Sequence, residues 1–299
     1  MVDVAEAAEP LRWDVGAVSI TAVVEMRWPL RIEWMVTDAT ADALRATPWV
    51  YQHGWLGADG EMTIAVQMFV VESQGRRIVV DTCAGNDKQR EGIASVFDDL
   101  HTDLPARLAA AGYPFATIDT VVCTHLHFDH VGWNTMWAGD RWVPSFANAR
   151  YLCSSADLAH WARRDEPHHA AAFDDSVQPV LDSGLLVAFD PPHALTDEVE
   201  IVPTPGHTPG HVSVWIRSHG HEAVITGDMV HHPVQLARPA WRDIADTDST
   251  RAAATRRHFA ERVADLGVLV LGTHFAGSTA GTLQIHDGDL EFRPAASGV

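Results

Sequence analysis

Positive charge is scarce in this chain: 21 lysines and arginines stand against 40 aspartates and glutamates over 299 residues, a formal net charge of −19. Attraction to phosphate backbones supplies most non-specific nucleic-acid affinity, so no nucleic-acid partner is expected, and nuclease chemistry is disfavoured. The notable basic clusters, Lys88 with Arg90, Arg163 with Arg164 and Arg256 with Arg257, read as solvated helix or loop faces balanced by nearby acids. Cysteine is rare as well. Cys83, Cys123 and Cys153 form no Cys-x-x-Cys pair and no disulfide framework, and Cys123, inside an apolar run, reads as a small buried hydrophobe. No window is long and apolar enough to span a bilayer. The start, Met1 to Glu9, is acidic where a secretory signal needs a basic and then an apolar segment. These absences point to a cytoplasmic protein with no membrane partner. Low-complexity linkers and short tandem repeats are missing too, so residues 1–299 are expected to form a single domain, with a homodimer left open.

What the chain does have is histidine in telling places. Thr124-His125-Leu126-His127-Phe128-Asp129-His130 sets three imidazoles and a carboxylate directly after the apolar run Ile118 to Cys123. A strand points alternate side chains to one face, so His125 and His127 can grip one ion while the following turn aims Asp129 and His130 at a second. Further along, Thr204-Pro205-Gly206-His207-Thr208-Pro209-Gly210-His211 presents histidine in a Pro/Gly turn. Gly227-Asp228 follows the run Ala223 to Thr226, and Gly272-Thr273-His274 follows Val268 to Leu271. Scattered surface or core histidines would not share this strand-end context.

Strand-type runs appear at Val15 to Glu25, Met62 to Val71 and Arg77 to Asp81. A helix follows over Asp103 to Gly112, with a capping acid, an early proline and a terminal glycine, and then the strand Ile118 to Cys123. The second half repeats the alternation: helix Ser155 to Arg164, strands near Leu185 to Phe189, Val199 to Val202, Val212 to Ile216 and Ala223 to Thr226, helix Ser249 to Leu266, strand Val268 to Leu271. Sheets and outer helices from both halves fit an α/β fold of the αββα type, a four-layer sandwich. The segment Glu166 to Phe173 lies between the halves, placed to form part of a lid, with His168 and His169 read as surface residues.

In order and context, these motifs resemble those of metallo-β-lactamase-fold hydrolases, over about Asp81 to His274. The resemblance implies the same αββα sandwich and two metal sites: His125, His127 and His207 on one ion, Asp129, His130 and His274 on the other, and Asp228 bridging. It also implies that Asp81 supports a ligand histidine from behind, fixing its tautomer and raising its basicity. His211 is expected to be structural, because the family uses only the first histidine of that turn. Nitrogen and carboxylate donors suit zinc, while manganese, iron or cobalt can occupy similar sites.

Two divalent ions roughly 3.5–4 Å apart can hold a water between them and present hydroxide at neutral pH, with Asp129 the candidate to relay a proton to the leaving group. The expected reaction is hydrolysis of a small-molecule substrate. Acyl-homoserine lactonases of this family carry a tyrosine three residues after the bridging aspartate; here that place is His231. The His231-then-Gln235 spacing resembles the methyl parathion hydrolase branch, so His231 is either a substrate-facing donor or a packing residue. Trp133, Trp137 and Trp241 flank the motifs and are candidates to wall an apolar pocket. A neutral, apolar ester or lactone is the expected substrate. An aryl phosphotriester, or a non-catalytic metal-binding role, is the alternative.

Overall fold

In a computed structural model of the chain, residues 9–296 are described, and the acidic start, residues 1–8, lies outside them. Among these residues two seven-stranded sheets form. The first runs in spatial order Leu11–Val15, Val18–Arg31, Glu61–Ser73, Arg76–Val80, Thr120–Val122, Arg150–Ser154 and Leu186–Phe189. Its pairings are antiparallel up to Arg76–Val80 and parallel beyond it. The second runs His193–Ala194, Val199–Pro203, Val212–Ser218, His221–Ile225, Leu269–Leu271, Ala280–His286 and Asp289–Pro294. In it the pair His221–Ile225 and Leu269–Leu271 is parallel and the others are antiparallel.

Side-chain alternation explains the stacking. Ile78, Val80 and Val122 of the first sheet share one buried apolar layer with Val214, Ile216 and Ile225 of the second. Their neighbours Val79, Val121, Trp215 and Val224 belong to another buried set, which includes Leu104 and Leu108 of the helix Leu104–Ala110 and Phe259 and Val263 of the helix Ser249–Val263. Successive strand residues point to opposite faces, so each sheet lies with one face on the other sheet and one under helices. That is the αββα sandwich expected from the sequence.

Local details depart from expectation where burial decides. Asp103 does not cap its helix with its side chain; its carboxylate takes Arg107 Nε at 2.6 Å instead. Lys88, Arg90 and Arg256 are not on solvated faces but buried. The Lys88 amine sits 3.4 Å over the Trp142 ring and donates to Thr135 Oγ1 at 2.6 Å, while Arg90 grips both oxygens of Asp175 at 2.6 and 3.0 Å. Arg256 donates to Asp246 and to the carbonyls of Pro239 and Trp241, pinning the loop that follows His231. Charge on these side chains is tolerated in the interior because each has acceptors within reach.

Candidate metal centre

The ligand-type residues come from loops at one end of the two sheets, where strands stop and the chain turns. His125, His127, His207 and Asp228 can each offer a ligand atom, with those atoms all within 4.8 Å of one another, and Asp129, His130 and His274 form a second such group. In the first, His207 Nε2 lies 3.3 Å from His125 Nε2 and 3.1 Å from His127 Nδ1. In the second, His130 Nε2 and His274 Nε2 are 3.2 Å apart, and Asp129 Oδ2 is 3.7 and 3.6 Å from them. Asp228 sits between the groups: its Oδ2 is 3.1 Å from His130 Nε2 and 3.6 Å from both His125 and His207 Nε2.

Hydrogen bonds behind the rings decide which nitrogen faces the centre. At the end of strand Arg76–Val80, Asp81 accepts the Thr124 backbone N–H and hydroxyl, each at 2.8 Å, and His130 Nδ1–H at 3.0 Å. The Thr124 hydroxyl in turn accepts from His125 Nδ1 at 3.0 Å, and His274 Nδ1 donates to the Ala65 carbonyl at 2.9 Å. With their outer nitrogens donating, these three rings turn Nε2 inward; burial opposes a charge on His130, but Asp228, Asp129 and Asp81 hold it well above the usual imidazole range. Burial, reinforced by neighbouring imidazoles, holds His125 and His127 well below the usual imidazole range, so both stay neutral. Asp228 is held well below the usual carboxylate range: burial opposes its charge, but the surrounding imidazoles, His130 first, outweigh it.

Ring nitrogens and carboxylate oxygens converging at such distances are the arrangement a divalent cation would bind. Nitrogen donors at about 2.0–2.1 Å from a tetrahedral ion stand about 3.3 Å apart, and the observed spacings bracket that value. Asp228 Oδ1 is buried without a hydrogen-bond partner, a further coordination oxygen. The donor set therefore fits a divalent ion in each group.

Several struts were not read from the sequence. Asp157 accepts the backbone N–H of Leu126 at 3.0 Å and of Gly210 at 2.9 Å, tying the first histidine loop to the Pro/Gly turn. It stands three residues after Ser154, which caps the helix Ser155–Trp161; that spacing marks a helix start but says nothing of a strut. His211, expected to be structural, accepts the Asp228 backbone N–H on Nε2 at 2.9 Å and donates from Nδ1 to Thr204; burial pushes it down to about 3. This closeness requires glycine before Asp228: Gly227 has φ +57°, and a Cβ there would stand 2.6 Å from His211 Nε2. His169, read as a surface residue, is buried, its ring stacked on His127 at 4.4 Å and near Trp161 at 4.4 Å.

His231 stands where the rings meet a cavity. Its Nδ1 is 2.8 Å from Asp243 Oδ2 and its Nε2 3.1 Å from Asp228 Oδ2. Burial opposes its charge, yet Asp243 and Asp228 together hold it well above the usual imidazole range. The cavity, of about 350 Å³, is lined by His231 and His274 together with Arg27, Trp55, Glu61 and Phe275. Trp133, Trp137 and Trp241, the tryptophans expected on a pocket wall, are not among the residues that line this cavity. Trp133 is buried with its indole N–H on Glu25 Oε1 at 2.6 Å, Trp137 is exposed on a hairpin and meets Trp142 edge to face at 5.2 Å, and Trp241 packs against the core beside Arg256.

Residues 63–288 match the profile described as the Metallo-beta-lactamase superfamily. Among solved structures the chain is similar to the hydrolase AbOPH of the beta lactamase superfamily, at 23% identity and TM-score 0.79 over 99% of this chain and 100% of that one. It is also similar to AidC, a dizinc quorum-quenching lactonase, at 18% identity and TM-score 0.77 over 99% and 100% of the two chains. A probable metal-dependent hydrolase from Staphylococcus aureus matches at 19% identity and TM-score 0.77 over 96% and 100%. At these identities the likenesses establish a shared fold.

Proposed function

The chain belongs to the metallo-β-lactamase superfamily, and from that premise we propose that it is a metal-dependent hydrolase that holds two divalent ions and cleaves a neutral, apolar ester or lactone. The observation that carries this reading is the convergence of inward-facing ring nitrogens and the Asp129 and Asp228 carboxylates on two adjacent groups at ligand spacing. His125, His127 and His207 would hold one ion, Asp129, His130 and His274 the other, and Asp228 both. Zinc suits this donor set, with manganese, iron or cobalt as substitutes. Bound ions of this kind supply Lewis acidity and a water acidic enough to attack at neutral pH.

The protein's own groups do the rest. Asp81, Asp157 and His211 hold the ligands in register. Half-buried Asp129 is placed to move a proton towards the leaving oxygen. His231 lines the cavity with Nδ1 on Asp243 and Nε2 on Asp228, and would donate to a substrate oxygen only where Asp228 is taken up by the ions. A second reading, hydrolysis of an aryl phosphotriester, is favoured by one observation: Gln235 Oε1 accepts the backbone N–H of His231 and His232 while its amide donates to Asp243 Oδ2, which ties together the His231 and Gln235 whose spacing resembles the methyl parathion hydrolase branch. A non-catalytic binder on this fold would be expected to lack part of the ligand set. We read residues 1–299 as one domain working in a reducing compartment such as the cytoplasm, in keeping with three buried, unpaired cysteines.

Protein loaded with zinc or manganese, assayed on lactones, aryl esters, thioesters, β-lactams and aryl phosphotriesters, tests both readings. Turnover is expected first on lactones or aryl esters. Turnover confined to phosphotriesters favours the second reading, and cleavage of polyanions alone overturns both.

A further inference from the structure

Arginine in this acidic chain is mostly paired. Arg31, Arg77, Arg90, Arg107, Arg242 and Arg256 each hold a carboxylate. Arg27, on the wall of the cavity beside His231 and His274, has no ion-pair or hydrogen-bond partner among the described residues.

Sheet register says where it points. Arg27 lies directly opposite Ala65 in the antiparallel pair. Ala65 brackets His274: its N–H donates to the His274 carbonyl at 3.1 Å and its carbonyl accepts His274 Nδ1–H at 2.9 Å. Directly opposed residues share a face of the sheet, and Thr63 and Glu61, two and four residues before Ala65, line the same cavity. Glu61 is opposite Arg31, four residues along the strand from Arg27, and no ion pair joins it to Arg27 among the described residues. The cavity's other cationic candidates are engaged: His231 by Asp243 and Asp228, His232 by the Trp55 carbonyl at 3.1 Å, and His274 by Ala65.

We propose that Arg27 anchors a single carboxylate on the substrate, at the end remote from the bond that is cleaved. The planar guanidinium fork matches a carboxylate in two hydrogen bonds. Trp55 and Phe275, with ring centroids 5.8 Å apart, supply apolar wall for the stem between the two ends. The inference rests on the ester or lactone reading and narrows it: the reacting bond is neutral, the substrate as a whole is a monoanion.

Aryl monoesters of straight-chain dicarboxylic acids are compared with aryl alkanoates of equal chain length, using the metal-loaded wild type, Arg27→Met and Arg27→Lys. The wild type is expected to favour the acid-bearing ester by about ten-fold or more in kcat/KM, through KM, with the preference falling as salt rises. Arg27→Met should erase that ratio, and Arg27→Lys, which keeps the charge but loses the fork, should retain part of it. A wild type without preference, or a ratio unchanged in Arg27→Met, overturns the proposal. If the wild type cleaves neither series, the ester reading fails by itself, and the anchor is read by calorimetric titration with monomethyl adipate. Weaker binding in Arg27→Met with Arg27→Lys between then supports it, and equal binding in all three proteins overturns it.

Discussion

Two buried charge clusters in this molecule resemble each other in composition and differ in what they lack. Around Asp175, Lys88 and Arg90 are donors facing acceptors: the ammonium has Thr135 Oγ1 and the Asp175 carbonyl, and the guanidinium has both Asp175 oxygens. Nothing from outside is needed. Around Asp228, rings whose outer nitrogens already donate to Asp81, Thr124 and Ala65 turn Nε2 towards one another and towards carboxylate oxygens. Such a set of ring nitrogens and carboxylates offers a divalent cation a ready shell of ligands. The first cluster is a fastener and the second a receptor, and hydrogen-bond polarity tells them apart where charge counting does not.

The largest test removes the shared acceptor. Asp228→Ala is expected to lose metal from both groups and to reduce hydrolysis to background, because one carboxylate serves both sets of rings. His211→Ala, which removes the bonds to the Asp228 backbone and to Thr204 but no ligand, should cost about 10–100-fold in metal affinity. Metal analysis after gel filtration measures both. Full metal content in Asp228→Ala would show that the receptor cluster does not depend on this residue.

Next comes the strut behind the rings. Asp81 accepts three donors. Asp81→Asn turns one of its two oxygens into an NH2 that faces donors, so Thr124 and His130 lose support. Metal affinity should fall by about 10–100-fold, with the fold retained by circular dichroism. An affinity equal to wild type would remove Asp81 from the site.

The fastener should respond to pH rather than to metal. Burial lowers the Lys88 pKa from 10.5 to about 7, against the opposing pull of Asp175. Below about pH 7 the lysine is charged in both folded and unfolded chains. Between there and the unfolded value the unfolded chain binds the extra proton, so this residue's contribution to stability rises with pH, by at most about 1.4 kcal/mol per unit. Wild type minus Lys88→Met, followed by urea unfolding from about pH 6 to about pH 10, should climb through that window. A flat difference would mean that Lys88 keeps its proton in the folded chain.

The receptor was legible in the sequence and the fastener was not, for a physical reason. His125 to His130 is a local pattern, and His207, Asp228 and His274 each follow a strand whose apolar run announces it. The clamp joins Lys88 to Thr135, 47 positions on, and Arg90 to Asp175, 85 positions on, and no spacing rule reaches that far; Asp157, 31 positions from Leu126, is hidden for the same reason. The sandwich was legible from alternation, but the closing hairpin Ala280–His286 and Asp289–Pro294 was not named. Its signal was present: Asp287-Gly288, both at positive φ, is a two-residue hairpin turn. The short helices Ile32–Met35, Ala41–Leu44 and Trp49–Gln52 carry too few residues for a period to show.

The smallest expected effect separates wall from core at Trp133. Its indole N–H donates to buried Glu25, beside the Ala84 N–H at 2.7 Å, the Thr102 hydroxyl at 3.0 Å and the Gly85 backbone. Burial raises the Glu25 pKa and these donors pull it down. Trp133→Phe keeps most of the apolar bulk and deletes one donor, so the carboxyl rises further. A carboxyl whose folded value exceeds its unfolded one favours the fold at low pH and loses that contribution as pH climbs through the folded value. The variant should therefore be destabilised by about 1–2 kcal/mol at neutral pH and by less near pH 4. Because Trp133 is not on the cavity wall, its KM for esters should match wild type, whereas Arg27→Met changes KM. A raised KM with stability intact would place Trp133 against the substrate after all.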